Sequence, residues 1–133
     1  MVITHEGGMR FAAQVRSHRV VTDQSLLAGG EDSAPSPVEL LGVSLGSCIA
    51  FYVQQFCHAR GLPFEGMQVE VEQRSEKNPA RVAEFVVRVV MPADIPDQYV
   101  PVLERVVRSC PAHNTLAPGA IINIEIVMPA GVT

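Results

Sequence analysis

The chain has 133 residues, of which 47% are hydrophobic and 18% are charged, and its formal net charge is −4 at pH 7. This composition is typical of a globular protein and excludes a disordered chain, and the length predicts a single domain over residues 1–133. The ten Lys and Arg residues are scattered along the chain, which argues against a nucleic-acid-binding surface.

Two strands are predicted near the start of the chain. Over residues 9–23, apolar residues alternate with polar or small ones on both sides of a short break. Residues 1–10 lack the basic start and apolar block of a signal peptide, so we expect a cytoplasmic protein. Residues 28–37 are rich in Gly, Pro and Ser and predict a loop.

A long helix is predicted from Ser36 to about Gly61. Ser36 as N-cap, Pro37 at the first position and Glu39 at the third make a capping box. Residues 40–58 are uncharged, but serines and glutamines interrupt them, so we interpret the helix as a core element and not a membrane span. The small residues expected to let another helix approach closely are Gly42, Ser44, Gly46 and Ser47.

The rest of the chain predicts a hairpin, a shorter helix and a last strand. Residues 67–73 alternate strictly, and residues 82–91 follow as the second strand of the hairpin. An apolar stripe over residues 97–109 predicts the helix, which should end at Cys110 and Pro111. Residues 120–127 predict the final strand.

Three cysteines in a reducing compartment indicate either thiol chemistry or simple core filling. Cys48 falls in the middle of the long helix and Cys110 at the end of the second one, and neither position favours a thiolate. Cys57 cannot meet Cys48, because nine helical residues rise ~13 Å and a disulfide needs Cα atoms within ~7 Å. We interpret Cys57 as structural.

A reactive Cys48 would need a cation beside it. The candidates near the first strands are Arg16, which we rank first, Arg10, which we rank second, and Arg19. The alternative is that all three are solvated strand residues.

A metal site is a weaker possibility. Cys110 and His113 have the spacing of one half of a zinc site, but no second correctly spaced pair accompanies them. We therefore expect no metal and no cofactor, and we expect His113 to shape the turn after the second helix.

Two stretches resemble the OsmC/Ohr family: residues 36–48 (SPVELLGVSLGSC) and residues 109–116 (SCPAHNTL). Residues 18–23 (HRVVTD), followed by Gly29 and Gly30, are similar to that family's approach to its first helix. The resemblance spans nearly the whole chain. It implies an α+β fold in which two chains form an intertwined homodimer, with strands wrapping two long central helices and each active site at the subunit interface.

The resemblance also implies an activity, that of a thiol-dependent peroxidase for organic hydroperoxides. Cys48 is then the cysteine that attacks the peroxide, and Cys110 resolves it as a disulfide. A dithiol such as dihydrolipoamide would restore both thiols, and neither nucleic acid nor a membrane is an expected partner.

One position departs from the better characterised peroxidases of the family, which place a glutamate directly after the proline to hold the catalytic arginine. Here Val38 occupies that position, and the next residue, Glu39, is the capping-box partner of Ser36. The candidate catalytic set is Cys48, Cys110, Arg16 and Glu39. Val38 places the chain closer to the general OsmC-like branch and leaves an alternative, a non-catalytic redox-sensing or small-ligand-binding dimer.

Overall fold

The computed structural model describes residues 1–129 and contains both strands and helices, so the predicted α+β class is confirmed. The elements are β1 (Val2–His5), β2 (Phe11–Val15), β3 (His18–Thr22), α1 (Pro37–Ala59), β4 (Gln68–Lys77), β5 (Ala80–Val90), α2 (Val100–Val107) and α3 (Pro111–Leu116).

The first sheet is antiparallel, in the order β1-β2-β3. The two strands predicted over residues 9–23 are present, and β1 is an additional strand that the sequence analysis missed. All four residues of β1 are exposed, so it lacks the alternation that would have revealed it. Within the described chain this sheet does not pack extensively against α1, and four of its apolar side chains are exposed: Val2, Ile3, Phe11 and Val20.

α1 begins and ends where the sequence predicts. The Ser36 hydroxyl accepts a hydrogen bond from the N–H of Glu39 (3.2 Å), and the Glu39 carboxylate accepts one from the N–H of Ser36 (3.0 Å). By length and composition α1 could cross a membrane, a test that the core helices of soluble proteins also pass. Its apolar residues buried in this chain are Leu45, Ile49, Val53 and Phe56.

The predicted hairpin is formed by β4 and β5, joined at Asn78 and Pro79. Its outer face carries three ion pairs between residues directly opposite each other in the register, and its inner face packs against α1. The pairs are Glu70–Arg88 (2.7 Å), Arg74–Glu84 (3.4 Å) and Glu76–Arg81 (3.0 Å).

Two of the four small residues of α1, Gly42 and Gly46, lie against a strand of the same chain. A Cβ atom on Gly46 would lie 2.9 Å from Cγ2 of Val71 in β4, and one on Gly42 would meet the carboxamide of Gln73. That carboxamide donates a hydrogen bond to the carbonyl of Val38 (3.0 Å). At Gly46 glycine is favoured, because β4 lies so close to α1 that a Cβ atom would press on the branched side chain of Val71.

The region after the hairpin differs from the prediction in two ways. The helix expected over residues 97–109 begins as a 3-10 turn at Asp97–Tyr99 and continues as α2, with Pro101 in the first turn, where its missing N–H costs no hydrogen bond. The prediction of a strand over residues 120–127 is wrong for the single chain. These residues have no strand neighbour and form no regular structure. The apolar side chains of residues 121–128 are 75–92% exposed.

Candidate functional site

The two cysteines of the predicted redox pair, 62 residues apart in the chain, come together in the structure. Cys110 is fully buried in a core cluster with Leu45 and Ile49, and Cys48 is partly buried and packs against the same cluster. Both are free thiols. The fold thus places both thiols at one apolar cluster.

We expected Cys110 to end the second helix. In the structure it is instead the N-cap of the next helix, α3. Its backbone is extended (φ −66°, ψ 139°), and its Sγ accepts a hydrogen bond from the N–H of His113 (3.2 Å). The expectation that Cys110 lies at a thiolate-disfavouring helix C-terminus is therefore wrong. Pro111 was the available signal, because proline favours the first position of a helix.

The environment of Cys110 keeps it protonated at neutral pH. Burial raises the pKa of the Cys110 thiol, and the neighbouring Cys48 raises it further, while the backbone N–H groups of His113 and Ala112 oppose this effect. Burial likewise raises the pKa of Cys57, against a smaller opposite effect of Arg60. Cys57 is fully buried in the core, as a structural residue would be.

The single chain does not bring the predicted arginine to Cys48. Arg16 lies in the turn between β2 and β3, exposed and with a positive φ of 53°, and the first sheet does not pack extensively against α1. Arg10 donates to the hydroxyl of Ser33 (2.7 Å). Arg19 is paired with Glu6. In the described chain Arg16 is thus the one of the three whose side chain makes no hydrogen bond or ion pair.

Glu39, the fourth predicted site residue, is engaged in the helix cap. Its carboxylate accepts the Ser36 N–H, and this hydrogen bond lowers its pKa. It precedes Cys48 by nine helical residues, a rise of ~13 Å. Val38, the residue at the family's usual glutamate position, is 51% exposed. The structure therefore does not bring Glu39 to the cysteine pair.

A cavity of about 1090 Å³ lies beside the cysteine pair. Leu45 and Ile49, which flank Cys48 along α1, belong to its apolar wall, although neither Cys48 nor Cys110 lines it. Its polar lining includes Glu104 of α2, Arg108 at the C-terminal cap of α2, and His113 of α3. Sequence reasoning missed Arg108 as a site residue, although its position two residues before Cys110 was a usable signal.

The loop that leads into α1 is organised by a buried carboxylate. Asp23 is 1% exposed and accepts hydrogen bonds from the hydroxyl (2.5 Å) and N–H (3.1 Å) of Ser33 and from the N–H of Gln24 (2.7 Å). These bonds lower its pKa to about 2. A Cβ atom on Gly30 would lie 2.8 Å from the Asp23 carboxylate. The sequence showed Asp23 and Gly30 only as parts of a resemblance, without this role.

Within residues 1–129, no three His, Cys, Asp or Glu side chains are grouped as metal ligands would be. Cys110 and His113, the pair with zinc-like spacing, are instead joined through the cap of α3, and the His113 ring lies 3.4 Å from the Asn114 side-chain oxygen.

Comparison with known proteins decides the family. The model of the OsmC-like protein family matches residues 30–125, which include both cysteines of the pair. The chain belongs to the OsmC-like family. None of the curated proteins compared with this OsmC-like chain matches it significantly.

Solved structures show the same fold at low sequence identity. A Psychrobacter arcticus protein, described as an osmotic stress induced and detoxification response protein, is 23% identical with a TM-score of 0.82, covering 88% of this chain and 87% of its own. An OsmC-like protein from Mycoplasma pneumoniae has 18% identity and a TM-score of 0.59, with 81% and 79% covered. A Vibrio cholerae protein, described as an organic hydroperoxide resistance protein with captopril bound in one of its active sites, has 15% identity and a TM-score of 0.54, with 85% and 81% covered.

Proposed function

We propose that this OsmC-like protein is a thiol-dependent peroxidase that reduces organic hydroperoxides through Cys48 and Cys110. The observation that carries the proposal is the meeting of these two thiols, one partly exposed and one fully buried, in a single apolar cluster. The description of the Vibrio relative as an organic hydroperoxide resistance protein agrees with this activity.

The exposure of each cysteine suggests its role. Cys48 is the accessible one, so its thiolate attacks the distal oxygen of the peroxide. An S–O bond forms, the O–O bond breaks and the alkoxide leaves as an alcohol after taking a proton. The sulfur loses two electrons, the peroxide gains them, and Cys48 becomes a sulfenic acid.

Cys110 completes the cycle from its buried position. Its sulfur attacks the Cys48 sulfenic acid, an S–S bond forms, and the hydroxyl leaves with the Cys110 proton as water. A dithiol then returns both cysteines to thiols through a mixed disulfide and is itself oxidised to a disulfide. Dihydrolipoamide is the proposed dithiol, and the cytoplasm, where thiols are kept reduced, is the proposed compartment.

The cavity beside the pair suits the organic part of the substrate. Its walls include Leu45, Ile49, Phe85 and Val87, which offer apolar contact to a hydrocarbon group, while polar groups such as Arg108 lie at other parts of the lining. A hydroperoxide with a hydrophobic substituent should therefore be preferred over hydrogen peroxide.

We further propose that the protein acts as a homodimer and that a second copy brings Arg16 to Cys48. Three features support this: the first sheet packs little against its own α1, the apolar residues of 121–128 are exposed, and the Arg16 side chain is unengaged in the described chain. Exposed apolar surface of this extent is typical of an interface. Sedimentation should give a dimer mass, and a monomer at micromolar concentration would refute this proposal.

The direct test mixes fully reduced protein with cumene hydroperoxide and counts free thiols. The native chain should fall from three thiols to one, with one equivalent of cumyl alcohol released per chain. Cys48→Ser should release no alcohol, whereas Cys110→Ser should form a trappable sulfenic acid. Cys57→Ser is the matched control and should still lose two thiols. Unchanged thiol counts in the native chain would overturn the proposal.

A second candidate function, a redox sensor without turnover, is favoured by two observations. Val38 occupies the position where the peroxidases carry glutamate, and the Glu39 carboxylate is used in the helix cap. Dihydrolipoamide separates the two functions, since an enzyme supplied with it consumes many peroxide equivalents per chain. A sensor would consume one equivalent and stop.

A further inference from the structure

The proposed reaction needs a proton at the leaving oxygen of the peroxide. When the Cys48 thiolate attacks the distal oxygen, the O–O bond breaks and the other oxygen leaves with a negative charge as an alkoxide. An alkoxide is a strong base, so a proton supplied while the bond breaks speeds this step. In the proposed reaction the cavity holds the organic group bonded to the leaving oxygen. A proton donor should therefore be sought in the cavity lining.

The ionisable side chains of the cavity lining differ in their ability to give up a proton. Glu76 and Arg81 of the hairpin pair with each other (3.0 Å). Arginine keeps its charge and an ionised carboxylate only accepts hydrogen bonds, which sets aside Arg108 and Glu104. α1 contributes only apolar side chains to the lining. Histidine is the residue type that changes charge between about pH 5 and 8, and His113 is the only histidine of the lining that the structure describes.

The orientation of the His113 ring is fixed by its neighbours. The side-chain amide of Asn114 donates to the carbonyl of Ser109 (3.3 Å), and its oxygen lies 3.4 Å from Nδ1 of His113. This arrangement assigns a proton to Nδ1. The backbone of His113 is anchored as well, because its N–H donates to Sγ of Cys110 (3.2 Å). Nε2 makes no hydrogen bond within the described residues, so it is available to a bound molecule.

We infer that His113 is a further catalytic residue, the general acid that protonates the leaving alkoxide from Nε2. As the Cys48 sulfur bonds to the distal oxygen and the O–O bond breaks, the imidazolium gives its Nε2 proton to the alkoxide, which leaves as an alcohol. The sulfur supplies both electrons, and the ring becomes neutral. A proton from water restores the imidazolium, matching the proton that Cys48 releases when it next ionises. This role rests on the proposed function, because it belongs to the step that reduces the peroxide.

The test compares two oxidants whose leaving groups differ in their need for a proton. Cumene hydroperoxide releases an alkoxide, whereas peroxybenzoic acid releases benzoate, a weak base that leaves without protonation. In a single turnover, His113→Gln should slow consumption of cumene hydroperoxide by about 10²-fold and that of peroxybenzoic acid by less than about threefold. Glutamine keeps a polar side chain but transfers no proton. His58→Gln, at an exposed position of α1 outside the cavity lining, is the matched control and should change neither rate.

His113→Asn repeats the comparison if the glutamine variant does not fold. Equal slowing with both oxidants, or slowing with neither, would overturn the inference even if the native protein reduces peroxides, because a residue that only shapes α3 affects both rates alike. A native chain that consumes neither oxidant would refute the proposed function and the inference with it. The failure of the inference alone is thus distinguishable from the failure of the proposed function.

Discussion

Asp23 and Ser33, ten residues apart, are joined by two hydrogen bonds to one buried carboxylate oxygen, from the Ser33 hydroxyl and from its N–H. Arg10, which directly precedes β2, donates to the same hydroxyl. The loop that leads into α1 is therefore held by a charge that is out of contact with water.

This arrangement predicts that the protein loses stability at low pH, as Asp23 becomes protonated. The pKa of Asp23 is lowered to about 2 from an ordinary value of 3.8, so its contribution is present above about pH 4 and is lost as the pH falls toward 2. Asp23→Asn should lower the melting temperature by several degrees at pH 7 and by much less at pH 2.5. Asp32→Asn, at an exposed position of the same loop, should have little effect at either pH. An effect of Asp23→Asn that does not depend on pH would contradict this explanation.

The close contact between α1 and β4 predicts that one added methyl group at Gly46 lowers the stability of the protein. Gly46→Ala should destabilise the protein by about 1–3 kcal/mol, because overpacking against Val71 outweighs the better helix propensity of alanine. Chemical denaturation measures the change. Val71→Ala in the same chain should recover much of the loss. Additive destabilisation in the double variant would show that the two side chains do not conflict.

The role of Glu39 can be determined with a substitution that removes its charge but keeps its hydrogen bond. Glu39→Gln keeps an acceptor for the Ser36 N–H, so we expect stability and peroxide reduction within about twofold of the native protein. Ser36→Ala removes the other half of the capping box and should cost about 1 kcal/mol. If Glu39→Gln abolished peroxide reduction while the melting temperature held, Glu39 would be catalytic after all.

The three thiols should differ in accessibility. In the native protein iodoacetamide should modify Cys48 first, while Cys57, fully buried and with a raised pKa, should stay unmodified over the same period at pH 7. Mass spectrometry of digested protein identifies the labelled cysteines. Denatured protein is the control, in which all three should react alike. Labelling of Cys57 as fast as Cys48 would contradict the described core.

Local signals predicted the parts of the fold that depend on neighbours in sequence. Ser36, Pro37 and Glu39 fix the start of α1 through contacts within one turn, and strict alternation locates β4. Residues 120–127 carry a strand pattern but pair with no strand in the part of the chain that the structure describes. Sheet hydrogen bonds depend on a neighbouring strand, which a sequence pattern does not supply.

The site was predicted in part. Resemblance brought Cys48 and Cys110 to attention, but the N-cap position of Cys110 required knowing that Pro111 opens a helix. The position of Arg16 relative to Cys48 depends on how the first sheet is placed, and spacing in the sequence carries no information about that. Glu39, in contrast, lies in the same helix as Cys48, so the spacing of nine residues already separates the two.

The ion pairs on the outer face of the hairpin help to fix the register in which β4 and β5 pair. Glu70, Arg74 and Glu76 alternate in sign along β4, and each faces its opposite charge on β5 across one rung of the ladder. Sliding one strand by two residues in either direction would keep the pleat but leave Glu70 facing an uncharged valine, Val86 or Val90. The hairpin thus has one alignment that satisfies both its faces, which protects it from mispairing with a strand of a neighbouring molecule.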